Sequence, residues 1–405
     1  MGKKIKIYSL TTTYPESVDS KTHQFVHTLN KELVKLGYYI KTITPHSKGL
    51  PTSEKMDDVK IKRFRYLPEN SEIGSSSITD LISTSKIGFL KTTIMMTSFF
   101  FSTLVECLKE KPDIFHGHWA FPGGFIAVIL SNFFRKKSVV TIHGGFSVLS
   151  KFKFLQKIVI YTLNKSSYII TNSNYTKNKF IEMGLKNKKI IRIFVPPNFI
   201  EHDTDLNNLK KFRQKFANSE HKIILFVGGL REVKGIEYLI KSLLELKISK
   251  VHLIIVGYGI LHDHLKNLTE STGLEKKVTF FGPANPKEVA NLYAISDVFV
   301  LPSIIDSAGF TEAMGLVIPE AMRSELPVVA SSVGGITDII EDEVNGLLVQ
   351  QKNPKSIANA IERIISDETL EKKIIENAKE TVKKFYPETI ATEHSMIFKN
   401  LFDNS

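Results

Sequence analysis

Two carboxylates, Glu312 and Glu320, stand eight positions apart in residues 309–340, GFTEAMGLVIPEAMRSELPVVASSVGGITDII. Gly315 lies between them and opens an apolar run. A loop carboxylate can accept hydrogen bonds from sugar hydroxyls. A glycine lets the backbone come close to a ligand. The amides of Leu316 and Val317, opening a helix, can bind a phosphate. A second carboxylate two turns along can take both hydroxyls of a ribose, as acidic residues do in nucleotide-binding folds. Spacing alone is a weak signal, because two solvated glutamates on a helix would look the same. Context strengthens it. The preceding DVFVLPS reads as a strand, which puts Glu312 near the carboxyl edge of a parallel sheet, where ligands bind.

Two further groups of residues could do chemistry. KIILFVGGLREVKG runs from a strand into Gly228 and Gly229, then reaches Arg231 and Lys234. DIFHGHWAFPGGF ends a strand on His116 and His118, and SVVTIHGGF brings His143 to a similar strand end. Each has a plain alternative: a solvated lysine after a turn, or a histidine that only packs.

These residues need α/β scaffolding, and the rest of the chain supplies its pattern. Apolar runs alternate with amphipathic stretches in both halves, as in βαβ units. KIKIYSL, YYIKTITP, DIFHGHW, SVVTIHG and SYIITNS read as strands of the first half. KIILFVGGL, VHLIIVGYG, VTFFG, DVFVLPS and LPVVASS read as strands of the second, and their continuous apolar character suits burial on both faces. Residues 22–36 show helical spacing at Phe25, Leu29, Leu33 and Leu36, with Gly37 placed as a C-cap. Pro196 and Pro197 mark the break between halves. The expected domains are 1–198, 199–375 and a helical tail, 376–405, packing back towards the first.

At 405 residues the chain is too long for one ordinary core. The single cysteine, Cys107, excludes an internal disulfide framework and reads as core. No secretory leader is visible, and the apolar run at residues 92–108 is shorter than the roughly 20 residues a spanning helix needs. It is expected to be a buried helix, and the protein to be cytoplasmic. The net charge of +12 is uneven: residues 1–200 carry 30 Lys+Arg against 13 Asp+Glu, and the remainder 24 against 29. That asymmetry fits a first half facing an anionic surface, or a lysine-rich composition with no partner. SVLSKFKFLQKIVIYTLNK, residues 147–165, reads as a basic amphipathic helix that either lies on a membrane or packs on its own sheet.

In sum these motifs resemble the retaining GT-B glycosyltransferases of family 4. The Glu-x7-Glu element, FVGGLREVKG, VGYG, VTFFGP, LYAISDVFVLPS and PVVASSVGGITDII…NGLLV fall in the family's order, and the resemblance is strongest over residues 223–349. It implies a GT-B architecture: two Rossmann-like, doubly wound α/β domains facing a central cleft. The first would bind the acceptor and the second a UDP- or GDP-linked sugar. Glu312 would contact the donor sugar and Glu320 the ribose. Lys234 would hold the diphosphate, stabilising a leaving group that gains negative charge. The family's arginine position is Gly229 here, and Arg231, two residues on, is the candidate replacement. Gly228, Gly257 and Gly282, at strand ends, fall on the donor side. His118 would face the sugar, with His143 and His23 as acceptor-side candidates.

The resemblance further implies retention of configuration without a metal or cofactor, the nucleotide-sugar being a substrate. The acceptor would be a glycan or a lipid-linked glycan of the cell envelope. Two other classes stay open: a GT-B enzyme of different chemistry (a phosphorylase or a nucleotide-sugar epimerase), and a basic nucleic-acid binder. For the latter no recognition motif is present. Three patterns are set aside. VGYGILHDH lacks the third glycine of a dinucleotide fingerprint. His262, Asp263 and His264 do not share a helix face. Asp203-Thr204-Asp205 follows a linker, not a strand.

Overall fold

Strands fully covered by helices should be apolar at nearly every position, and the central strands of the second half of this chain, KIILFV, VHLIIV and VFVL, are. The computed structural model describes residues 4–18, 20, 24–72, 86–144, 152–218 and 220–404. They form two compact units. One comprises Met1–Pro196 with Pro387–Ser405, and the other Pro197–Tyr386.

The first unit is built on an eight-stranded sheet. Its strands are β1 (Lys6–Leu10), β2 (Tyr39–Pro45), β3 (Ser53–Met56), β4 (Val59–Phe64), β5 (Ile114–His118), β6 (Lys137–Ile142), β7 (Tyr168–Thr171) and β8 (Ile190–Arg192), in the order β3-β4-β2-β1-β5-β6-β7-β8. All neighbours are parallel except β3, which runs antiparallel to β4. The helices are α1 (Gln24–Lys35), α2 (Lys86–Lys109), α3 (Phe125–Phe133), α4 (Lys153–Lys165) and α5 (Asn174–Glu182).

Two expectations change here. The buried face of α1 is Val26, His27, Leu29, Asn30 and Leu33, with Leu36 exposed. The stripe turns because Asn30 is needed inside, where its side-chain amide donates to Ser9 Oγ and Thr42 Oγ1. Gly37 does adopt φ +93 and donates to Val34 O. The second change concerns α2, which is not a buried helix. Met95, Phe99 and Cys107 pack on the sheet, while Ile87, Leu90, Phe101, Val105 and Leu108 are exposed.

The second unit carries a six-stranded sheet, all parallel: β9 (Lys222–Val227), β10 (Val251–Val256), β11 (Val278–Gly282), β12 (Val298–Leu301), β13 (Val328–Ser331) and β14 (Leu347–Val349). The order is β11-β10-β9-β12-β13-β14. Its helices are α6 (Leu206–Gln214), α7 (Ile236–Ser242), α8 (His262–Ser271), α9 (Pro286–Ile295), α10 (Val317–Arg323), α11 (Pro354–Ser366) and α12 (Glu368–Val382). The chain runs outward from β9 to β10 and β11, then returns to β12 on the other side. The carboxyl ends of β9 and β12 therefore flank a topological switch point, the place where open α/β sheets bind ligands.

Residues 376–386 stay with the second unit. The last helix, α13 (Pro387–Asp403), packs in the first, where Tyr38 Oη meets Ser395 Oγ at 2.8 Å. No helix among the described residues is long and apolar enough to cross a membrane.

Candidate active site

The loop after β9 approaches the loop after β10 with no room for side chains. A Cβ on Gly257, at φ +126, would fall 2.0 Å from Gly228 O. Beyond that contact the β9 loop makes a single helical turn, and Gly235, at φ +61, starts α7 with its Cα against Pro302 O. This turn carries Lys234. The Lys234 side chain runs past Gly228, its Cε 3.8 Å from where a Cβ at that position would be, in ordinary contact.

From the other side of the switch point comes the loop after β12. The Glu312 carboxylate forms an ion pair with Lys234 Nζ, both side chains largely buried. Glu312's backbone is fixed from behind by Gly334 and Gly335. Gly335 N donates to Glu312 O at 2.9 Å. A Cβ on Gly334 would sit 2.1 Å from Glu312 O, and one on Gly335 2.0 Å from Ala313 O. A second tie joins the two loops: Glu232 accepts from Ser307 N and Ser307 Oγ, each at 2.9 Å.

Gly315, at φ +86, turns the chain into α10, and its Cα is enclosed by Leu301 and Ile318. The amides of Leu316 and Val317 lie in the first turn, where no intrahelical acceptor exists. One turn on, Glu320 accepts from the buried Tyr293 Oη at 3.2 Å. Burial pushes the Glu320 carboxyl up to about 7, against a smaller opposing pull from the Tyr293 hydroxyl. Tyr293 itself is raised well above the usual phenol range by burial and by the Glu320 charge.

Sequence reading missed four groups here. Tyr293 lies on α9, behind Glu320. Ser303, Thr311 and Ser331 bring hydroxyl oxygens that are buried and unpartnered among the described residues. Ser303 and Ser331 follow or end β12 and β13, and Thr311 precedes Glu312. The PS and SS pairs after the strand runs were the available signal.

Arg231 lies two residues beyond Gly229, and its Nε is 3.8 Å from where a Gly229 Cβ would be. The arginine side chain thus passes beside Gly229, in ordinary contact with the position a Cβ there would take. Gly282, at φ +81, ends β11, and its carbonyl accepts from Gly257 N at 2.9 Å.

In the first unit, His118 ends β5 and is 1% exposed. Its Nδ1 lies 3.1 Å from Nε2 of His143, just past β6, and the rings stack. His116 faces the same layer, bonded to Thr141 Oγ1 at 2.7 Å and packed by His394 and Phe398 of α13. Burial lowers all four. His116 and His118 fall well below the usual imidazole range, His143 to about 3 and His394 to about 4. His118 Nε2 and His143 Nδ1 have no partner among the described residues. His23 lies outside the described residues, as do residues 147–151 of the basic helix. Asp203 and Asp205 shape the start of α6: Asp205 caps it by accepting from Asn207 N.

Comparison with known proteins adds three kinds of finding. The family described as Glycosyl transferases group 1 matches residues 207–381, and that described as Glycosyltransferase Family 4 matches residues 22–203. An uncharacterized glycosyltransferase of Methanocaldococcus jannaschii, MJ1607, is 30% identical over 98% of both chains. Among solved structures, a sucrose-phosphate synthase from Thermosynechococcus elongatus matches with a TM-score of 0.79 at 21% identity, covering 99% of this chain and 100% of that one. The Anabaena protein Alr3699/HepE, in complex with UDP and glucose, matches with a TM-score of 0.72 at 19% identity, covering 98% and 100%.

Proposed function

Because the chain belongs to the group 1, family 4 glycosyltransferases, enzymes of GT-B fold that use nucleotide-sugars, we propose that the switch point of the six-stranded sheet is its donor site. One observation carries this reading: Lys234 and Glu312, brought from opposite sides of the switch point, form an ion pair, with Glu320 one helix further on.

In this reading the ribose hydroxyls donate to Glu320, which Tyr293 holds in place. Lys234 binds the diphosphate together with the amides of Leu316 and Val317. Arg231 supplies the second cation, passing beside Gly229. Glu312 orients the sugar hydroxyls and favours positive charge developing at the anomeric carbon. The C–O bond to the diphosphate breaks, the acceptor hydroxyl attacks from the same face, and its proton passes to the departing phosphate. The configuration is retained, and no metal enters the scheme. His118 and His143, both neutral at physiological pH, are the sugar- and acceptor-facing groups of the first unit. The acceptor is a glycan or lipid-linked glycan of envelope polysaccharide synthesis, a reading supported by the positive charge of the first half of the chain.

The test is nucleoside diphosphate release from UDP-, GDP- and ADP-sugars with glycan and polyprenyl-linked acceptors, with chelator present, followed by assignment of the product anomer. Acceptor-dependent release with retention supports the reading. Inversion, or turnover only with inorganic phosphate or with the nucleotide-sugar alone, contradicts it.

A further inference from the structure

In the first sheet the chain moves from β1 to β2 and β4 on one side, then returns to β5 on the other. The carboxyl ends of β1 and β5 therefore flank a switch point of this sheet too. His118 ends β5, and the loop after β1 begins at Thr11. A Cβ on Gly123 would fall 2.6 Å from Leu10 O and 2.7 Å from His118 O, so the two strand ends lie close together. α1 closes the same corner, with the ring centroids of Phe25 and His143 4.8 Å apart. Thr13 Oγ1 in the loop is buried and unpartnered among the described residues, as are His118 Nε2 and His143 Nδ1. Buried polar atoms without partners are groups that a hydroxyl-bearing ligand can satisfy.

The loop is anchored by the β3–β4 hairpin at the edge of the sheet. Arg63 of β4, 1% exposed, donates through Nη2 to Pro15 O at 2.8 Å. Glu54 Oε1 of β3 holds the same guanidinium, 2.9 Å from Nε and 2.8 Å from Nη2. The second anchor is a chain of side chains. Tyr14 Oη lies 2.7 Å from His27 Nδ1, and His27 Nε2 lies 3.0 Å from Asp57 Oδ2 in the hairpin turn. Lys31 Nζ pairs with that carboxylate oxygen at 3.1 Å.

The chain has a fixed direction. The Asp57 carboxylate can only accept. Burial lowers the His27 imidazole, so the ring is neutral and carries one proton. That proton sits on Nε2, facing Asp57, and Nδ1 then accepts from the Tyr14 hydroxyl. Burial raises the Tyr14 phenol above its usual range, so the hydroxyl keeps the proton it donates. Tyr14 and His27 are buried, so they act through the loop and do not touch a substrate.

We infer that Tyr14, His27 and Asp57 are positioning residues whose one-way hydrogen-bond chain, together with Arg63 on Pro15, fixes the loop after β1 as one wall of the acceptor subsite lined by His118 and His143. This rests on the acceptor reading of the first unit. It gives the hairpin at the sheet edge a task in the reaction, although the hairpin is remote from the loop in sequence.

The experiment compares the wild-type chain with Tyr14→Phe, Asp57→Gly and His27→Gln, after circular dichroism confirms folding. Glycine is at ease at the φ of +45 that Asp57 adopts, so Asp57→Gly spares the turn and removes only the carboxylate. A glutamine amide can still donate to Asp57 and accept from Tyr14, which makes His27→Gln the conservative rescue. Three readouts are taken: hydrogen exchange of the peptide spanning residues 11–18, acceptor KM with the glycan and polyprenyl-linked acceptors of the activity test, and calorimetric nucleotide-sugar affinity. In Tyr14→Phe and Asp57→Gly, loop exchange should quicken and acceptor KM should rise, each about five- to tenfold, with donor affinity unchanged. His27→Gln should stay near wild type in all three. Unchanged exchange and acceptor KM in folded Tyr14→Phe overturn the inference. So does wild-type behaviour of Asp57→Gly, or donor affinity that falls in step with acceptor KM. A wild-type chain that binds no nucleotide-sugar overturns the donor reading and the acceptor role resting on it, and exchange then still decides whether the chain holds the loop.

Discussion

Lys234 and Glu312 are 78 positions apart in sequence and form an ion pair where the carboxyl ends of β9 and β12 diverge. Each carries a charge that the proposed reaction needs, and without a ligand each neutralises the other. A donor would insert its diphosphate beside the lysine and its sugar beside the carboxylate, so both charges are satisfied throughout. Lys234→Ala and Glu312→Ala should each lower kcat by about 10²–10³. Lys234→Ala also strands a largely buried carboxylate, so it should lower Tm more than Lys234→Met/Glu312→Leu does. Steady-state rates and thermal melts check both statements. A single variant with near-wild-type kcat removes that residue from the mechanism.

Glu320 should make donor binding pH-dependent. Its carboxyl is pushed up to about 7 by burial, so it is half protonated near neutrality. Ribose hydroxyls donate to the ionised form, so affinity should fall as pH drops below about 7. Between pH 8 and pH 6 the Kd should rise about tenfold. Glu320→Gln should bind weakly with a flat profile. Tyr293→Phe removes the hydrogen bond that favours ionisation, so the midpoint should move to higher pH. Calorimetric titration across pH reads all three. A pH-independent wild-type Kd contradicts the assignment.

The histidine group of the first unit predicts acid sensitivity. His394, buried against His116, has its imidazole lowered to about 4 from 6.5. A base whose folded pKa is depressed contributes stability that is whole above 6.5 and lost as pH falls towards 4. At pH 5 the loss from His394 is about 2 kcal/mol. Melting of the wild type should therefore drop steeply between pH 6.5 and 4.5. His394→Leu should reduce that slope, and an unchanged slope would remove His394 as one of its causes.

Gly334 and Gly335 are predicted to matter though neither touches a substrate in the proposed scheme. A methyl at either position would press within about 2 Å of the backbone that carries Glu312. Gly335→Ala should displace that loop, lowering kcat about 10²-fold with a smaller effect on nucleotide binding, since a shift of an ångström at the chemistry is costly. Wild-type kcat in a folded Gly335→Ala protein would show that the buttress is dispensable.

Much of this was legible in the residues. Strands such as KIILFV and VHLIIV are apolar throughout because both faces are covered, so their positions follow from composition alone. Glu312, Gly315 and Glu320 lie in one short segment, and local spacing sufficed to group them. Tyr293 was hidden because it reaches Glu320 from another helix, α9, and nothing in LYAIS marks it as more than core. The buried stripe of α1 was misplaced because hydrophobicity cannot foresee that Asn30 is wanted inside for its hydrogen bonds. The two-sided character of α2 was hidden for the opposite reason: a helix apolar on both sides looks buried by composition, whether or not its outer face has a partner.

The most direct test of the donor site is calorimetric binding of UDP-, GDP- and ADP-sugars to the wild-type chain and to Glu320→Ala at pH 8. The account predicts that one nucleotide class binds and that the substitution weakens it at least tenfold, as expected for a lost pair of charge-assisted hydrogen bonds. Equal affinity in the two proteins, or no binding of any class at millimolar ligand, would contradict it.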